Sequence, residues 1–398
     1  MDVNLSIDEN ASAGTQSRVQ PFRPFFLLAA VDAIAGVGMW WAAVAGIIPA
    51  NWAGTPIGIW HRQELLFGMI PAGLAGFLLT ALPRWSGSDP ISPPALGGLI
   101  VLWLAGRAAH VAAPAAAGPI AASFIAVLAL IVLYQVIAAH DRRNIKVGAL
   151  LVLLAAGALT SGEQPFAVAG EYGSRASLAA ILGFGLIIGG RVVPTVTAAA
   201  LAKPPETFHI RSWLWIEWVA AAAAVVGLGA WVVAPAAHAT AVAGAVAAVS
   251  QTARLLQWRF WRTIGMPGVL VLHLGYGWIP VGFALVAVRL VRPDFWGTDA
   301  VVHAWAVGVI GLLCLGVWAS MIRRQTGVPF EFSPLVTAAY ACGFVAAVAR
   351  LLAAYPAGAN VISWLQMAAF AWIAAYALFL AGFAQKLLRS ASAPAEPI

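Results

Sequence analysis

Apolar residues fall along this chain in blocks of about 18 to 25, separated by short polar loops and rich in Ala, Leu, Val and Gly, with no strict alternation of inward and outward positions. An unpartnered backbone polar group costs several kcal/mol in hydrocarbon, so blocks of this length must form helices or a closed barrel, and the missing period of two decides for helices. The pattern predicts twelve spans, near residues 25–48, 65–83, 95–113, 117–139, 147–168, 176–200, 211–233, 235–255, 267–289, 301–322, 334–354 and 361–385. The expected fold is all-α: a polytopic membrane helix bundle in which residues 24–388 form a single domain. Short disordered tails are expected at 1–23, which lacks the basic start and cleavage pattern of a secretory signal, and at 389–398.

Charge sets the orientation. Lys and Arg concentrate in alternate loops: Arg18, Arg23, Arg84, Arg142, Arg143, Lys146, Lys203, Arg211, Arg254, Arg259, Arg262, Arg323, Arg324, Lys386 and Arg389 on the side of the termini, against Arg62, Arg175, Arg289 and Arg292 opposite. By the positive-inside rule both termini are cytoplasmic. The basic residues form no continuous stripe, so the net charge of +7 reflects topology in a lipid bilayer, and no nucleic-acid partner is expected. Trp52, Trp60, Trp85, Trp213, Trp258, Trp261 and Trp296 fall at predicted span ends, where an indole suits the headgroup region. Cys314 and Cys342 lie inside apolar blocks, as small core residues do. No repeat of 20 to 50 residues is visible.

Hydrocarbon makes an ionisable side chain expensive, so each one inside a span is a candidate site. Arg191 sits in Gly189-Gly190-Arg191-Val192-Val193-Pro194, where Pro194 disturbs the helical ladder, and its guanidinium needs an acceptor, whether a cofactor carboxylate or a structural partner. His61 and Glu64 share one helix face by their three-residue spacing, as a metal or haem ligand and a supporting carboxylate would; an interfacial histidine is the plainer alternative. His273, inside the ninth span, and His303, opening the tenth, are either ligands or packing donors. His110, His140, His209 and His238 read as solvated. Glu163, Glu171 and Glu217 are available as counter-ions for Arg191, Arg107 or Arg350, with no pairing assignable. Absent are GxxxxGK[ST], HExxH and GxSxG motifs, and the six intramembrane histidines, with an adjacent pair, that a haem–copper oxidase core needs.

On these residues the chain resembles the NnrS family of bacterial inner-membrane proteins over nearly its whole length. The resemblance runs through Pro21 to Leu27, Trp60 to Gly68 continuing at Ala75 to Ala81, Gly189 to Pro194, Ala253 to Leu256 with Trp258 through His273 to Trp278, and His303-Ala304 with Gly308. It implies a twelve-span protein that binds haem and copper and acts on nitric oxide or its iron adducts in resistance to nitrosative stress, with no secure turnover reaction. Carried over by position, it points to His61, Glu64, Arg191, Arg254, His273 and His303 for cofactor binding, with His61, His273 and His303 as metal ligands; a metal-free carrier or sensor of a small anionic solute, held by Arg191, is the alternative. The family's first motif usually reads Trp-His-x-His-Glu and a later segment Gly-His-Thr-Gly. Here Gln63 and Gln325 replace those histidines and Ser320 an expected arginine. An amide does not match imidazole as a ligand for copper or haem iron, so any metal those histidines bind in relatives would lose donors here.

Overall fold

A computed structural model describes residues 20–161, 167–202, 208–210, 212–292, 297–327, 333–355 and 360–388. The expected tails up to residue 19 and from 389 onward, together with Glu163, Lys203, Arg211 and Trp296, lie outside them. Among the described residues twelve helices are long and apolar enough to cross a membrane: Phe22–Val44, Ile57–Ser86, Pro93–Ala112, Pro114–Ala138, Arg142–Thr160, Gly170–Leu201, Leu214–Val233, His238–Gln257, Pro267–Val288, Asp299–Thr326, Pro334–Ala353 and Val361–Leu388. They are numbered below as spans in chain order. The short β-pairing of Asn51–Trp52 with Thr55–Pro56 lies in the loop before the second span.

Local chemistry sets the ends. Pro93, Pro114, Pro267 and Pro334 open their helices, where the missing N–H has no intrahelical role to lose. Gly87 and Gly327 close the second and tenth spans in the left-handed conformation, each at φ 68°. Phe22 and Arg23 belong to the first helix, so the expected tail is shorter than 1–23. The second span begins eight residues before the predicted 65, at Ile57, because the polar stretch Trp60-His61-Arg62-Gln63-Glu64 is itself helical and largely interior.

The packing order repeats every four spans. The fourth packs along the fifth, the eighth along the ninth, and the twelfth along the first, which closes the array. In each group of four the second member, that is the second, sixth and tenth span, is broken by a π-helical segment: Leu65–Met69, Gly185–Gly189 and Ala304–Gly311. The tenth touches both the second and the sixth. The repeat is about a third of the chain long, far longer than a 20–50-residue sequence repeat.

A π turn displaces carbonyls from the regular ladder, and in lipid a displaced carbonyl needs another donor. Each of the three segments has one. The Gly68 carbonyl accepts from the Trp103 indole at 3.0 Å, that of Leu186 from the Arg254 guanidinium at 3.4 Å, and that of Gly311 from the Tyr376 hydroxyl at 3.4 Å.

The ninth and tenth spans lock through reciprocal Trp–Gly contacts. Trp305 lies against Gly282 and Trp278 against Gly308, so closely that a Cβ on either glycine would overlap the indole. Two tryptophans expected as interfacial anchors, Trp60 and Trp258, are core residues, while Trp85, Trp213 and Trp261 are exposed as expected.

Gly282→Ala should lower the thermal midpoint of the detergent-purified protein through overpacking worth about 1–3 kcal/mol. Gly229→Ala, where an added Cβ meets nothing within 4 Å, should leave it unchanged or raise it, the helix gaining up to about 1 kcal/mol. Fluorescence-detected unfolding of the two variants side by side checks the contrast.

Candidate functional site

Successive spans cross in opposite directions, so even-numbered spans begin on the face opposite Phe22, here the far face. His61 and His303 are each the fifth residue of an even span, the second and the tenth. Both line one cavity of about 720 Å³ in the far half of the bundle, within the size range of small-molecule sites. Trp40, Leu65, Met69, Trp231, Val307 and Trp372 supply its apolar wall, and Arg62, Arg175 and Arg350 bring positive charge.

The two imidazoles are held alike. His61 Nδ1 is 3.0 Å from the Gly36 carbonyl oxygen, and Trp40 lies against the ring with centroids 5.4 Å apart. His303 Nδ1 is 2.9 Å from the Asp299 carbonyl oxygen and 3.0 Å from its carboxylate Oδ1. A carbonyl can only accept, so Nδ1 carries the proton in both rings and, while each is neutral, Nε2 keeps its lone pair. This is the tautomer a histidine needs to ligate through Nε2, with the other nitrogen steadied by an acceptor. Asp299 also accepts from Arg350 at 2.7 Å, which ties the tenth span to the eleventh beside the cavity.

Glu64 shares the helix of His61 but not its cavity. Its carboxylate takes Arg107 Nη1 at 2.8 Å and lies 3.7 Å from His110 Nε2, while Asp32 stands 3.7 Å from the same guanidinium nitrogen. The group joins the first three spans. Gly68 makes room for it, since a Cβ there would overlap both Arg107 and Asp32. His110 is buried, not solvated as expected, because it completes this cluster; His140, His209 and His238 are exposed or nearly so.

The remaining candidates lie in the other half of the membrane. Arg191 donates to the Asn144 side chain at 2.9 Å and stacks over Trp85, and it lines neither of the two cavities described. Arg254 pairs with Glu217 at 2.7 Å and donates to the Tyr276 hydroxyl at 2.7 Å, which in turn donates to Gln251. His273 Nε2 is 2.8 Å from the Thr197 hydroxyl, its ring near Trp258, with Nδ1 buried and without a hydrogen-bond partner. The structure thus brings His61 and His303 together and sets His273, Arg191 and Arg254 apart from them. Gln63 donates to the Ser161 carbonyl on the far side, whereas Gln325 accepts from Arg84 at the opposite end of the second span. These two departures from the family pattern do not belong to one site.

Sequence reasoning passed over Asp32, Asn144 and Asp299. Asp32 carried the general signal, an acid inside an apolar block, and Asp299 carried the i,i+4 spacing to His303. Asn144 carried none, since an amide at a span end is unexceptional until its partner is known.

Fold and site together define a multi-pass membrane protein with a cavity in one half of the bundle flanked by two tautomerically matched histidines. Over residues 18–390 the sequence matches the family model described as NnrS protein, and the chain belongs to that family. No curated protein matches it.

Arg107→Leu strands two buried carboxylates and should cost about 3–5 kcal/mol, seen as a collapse of the thermal midpoint or of monodisperse yield. Adding Asp32→Asn and Glu64→Gln to the same chain should recover much of the loss. If the triple variant is no better than the single, the cluster is not held together by charge.

Proposed function

We propose that this chain binds haem in the far-half cavity, with His61 and His303 as the iron ligands, and acts in nitric oxide metabolism and resistance to nitrosative stress in the bacterial inner membrane. The observation that carries the reading is the matched pair of histidines on one cavity, each with Nδ1 on an acceptor and Nε2 left as a lone pair. Family membership supports the same reading.

A haem needs one or two axial donors, an apolar slot and cations for its propionates, and the cavity combines two imidazoles, three tryptophans and three arginines. Among these residues Asp299 orients His303 and Arg350, and Gly36 orients His61. When bound, haem iron supplies a centre that takes up nitric oxide. Copper does not fit as well: among the described residues no group of three or more His, Cys, Asp or Glu side chains is placed to hold a metal ion. In this reading the termini face the cytoplasm, by the distribution of Lys and Arg, and the cavity lies in the outer half of the bilayer.

The alternative, an anion carrier built on Arg191, loses its geometric basis because that guanidinium is engaged by Asn144 away from either cavity. Of the cavity arginines, Arg350 pairs with Asp299 and Arg175 with Glu171 on the same wall, so haem propionates would share these guanidinium groups with carboxylates already present.

Protein purified from haem-replete cells should show a Soret band that shifts with nitric oxide. His61→Ala and His303→Ala should each lower pigment content severalfold, while His273→Ala should retain it. Colourless wild-type protein, or loss of pigment in His273→Ala alone, would overturn the assignment.

A further inference from the structure

A second, smaller space lies at the middle of the bundle. It is lined only by the second, sixth and tenth spans, by residues near the midpoint of each, among them Gly73, Gly185 and Cys314. Its volume is about 70 Å³, and Ile70 and Ile310 border both it and the large cavity. No lining residue carries a charge, a hydroxyl or an amide side chain; the polar atoms of its side chains are the Cys314 thiol and the Trp318 indole N–H. Two of the three π segments contribute to its wall, through Gly185, Ile188 and Gly189 in one and Val309 and Ile310 in the other.

The size alone would admit water, since one molecule needs only about 10–15 Å³ of such volume, but a water also needs two to four polar partners. The side chains of this wall offer only a weak thiol and one indole N–H, and no oxygen to accept from a water. An apolar cavity of about 150 Å³ in another protein stays dry and takes benzene or xenon; a space roughly half as large excludes the ring but accepts a single heavy atom or a diatomic molecule. Every partner that enters gains dispersion contacts the lining otherwise lacks.

We propose that the space between the second, sixth and tenth spans is a dry binding chamber for a small uncharged molecule of the diatomic-gas class, adjoining the large cavity at Ile70 and Ile310. Such molecules dissolve in the bilayer core, and the chamber stands at that depth. The assignment uses no histidine and holds whether or not haem occupies the larger cavity.

Xenon is the probe. Crystals of the full-length protein under xenon pressure should show an anomalous peak among Gly185, Ile310 and Cys314. Xenon sites elsewhere, as on lipid-facing surfaces, serve as the positive control for loading. Gly185→Ala should at least roughly halve the peak height relative to those sites, because its Cβ would stand in ordinary contact at 3.5 Å from Val309 and 3.7 Å from Leu313, taking up space without displacing backbone. Leu313→Phe is a second filling variant, judged only if its thermal midpoint matches wild type. Loaded crystals with no peak in the chamber, an ordered water there, or a peak unchanged in both variants would each overturn the proposal. Pigment content is measured on the same preparations, so failure of the chamber and failure of the haem assignment are read separately.

Discussion

Hydrocarbon offers no hydrogen-bond partner, and the three π-helical segments among the described residues are each answered by a donor from another span. Trp103 reaches the Gly68 carbonyl, Arg254 that of Leu186 and Tyr376 that of Gly311. Such a break is tolerable in lipid only when it is turned toward protein, so the second, sixth and tenth spans must lie where neighbours can reach them. Their central position and the two interior spaces beside them follow from the same requirement. π segments also shift the helix face presented beyond them, which lets His61 and His303 look into a cavity while residues one or two turns on pack against other spans.

The interior charges obey the matching rule for ions. Arg107 serves Glu64 and Asp32, Arg254 serves Glu217, and Arg350 serves Asp299. Each pairing joins different spans, so the ion pairs act as cross-braces; the Arg107 pairing is the costly one to break because Glu64 and Asp32 would be left buried, whereas Glu217 and Asp299 are more exposed. The far half of the bundle keeps a pair of imidazoles, each with Nδ1 on an acceptor, beside the large cavity. In the opposite half Arg254 joins Glu217, Tyr276 and Gln251, Arg191 donates to Asn144, and His273 meets Thr197, each on side chains of the chain itself.

Much of this architecture was legible along the chain. All twelve spans were predicted, most ends within a few residues, because a hydrocarbon slab about 30 Å thick imposes one helix length and one composition on every crossing. The family could be read from short polar segments at fixed positions, since intramembrane polar residues are rare enough to be distinctive. What one dimension could not supply was which polar groups meet. Glu64 lies one turn from His61 in sequence yet turns to Arg107 on another span, His110 looked solvated and is buried, and Trp258 looked like an anchor and is core. The fourfold periodicity of packing, the three π segments and the small chamber between them likewise have no local sequence signature. Spans and their order are decided by the solvent each segment must face, which is a property of the segment alone; partners, cavities and tautomers are decided by contacts between residues as far apart as Gly36 and His61 or Trp231 and Trp305, and these exist only once the helices have packed.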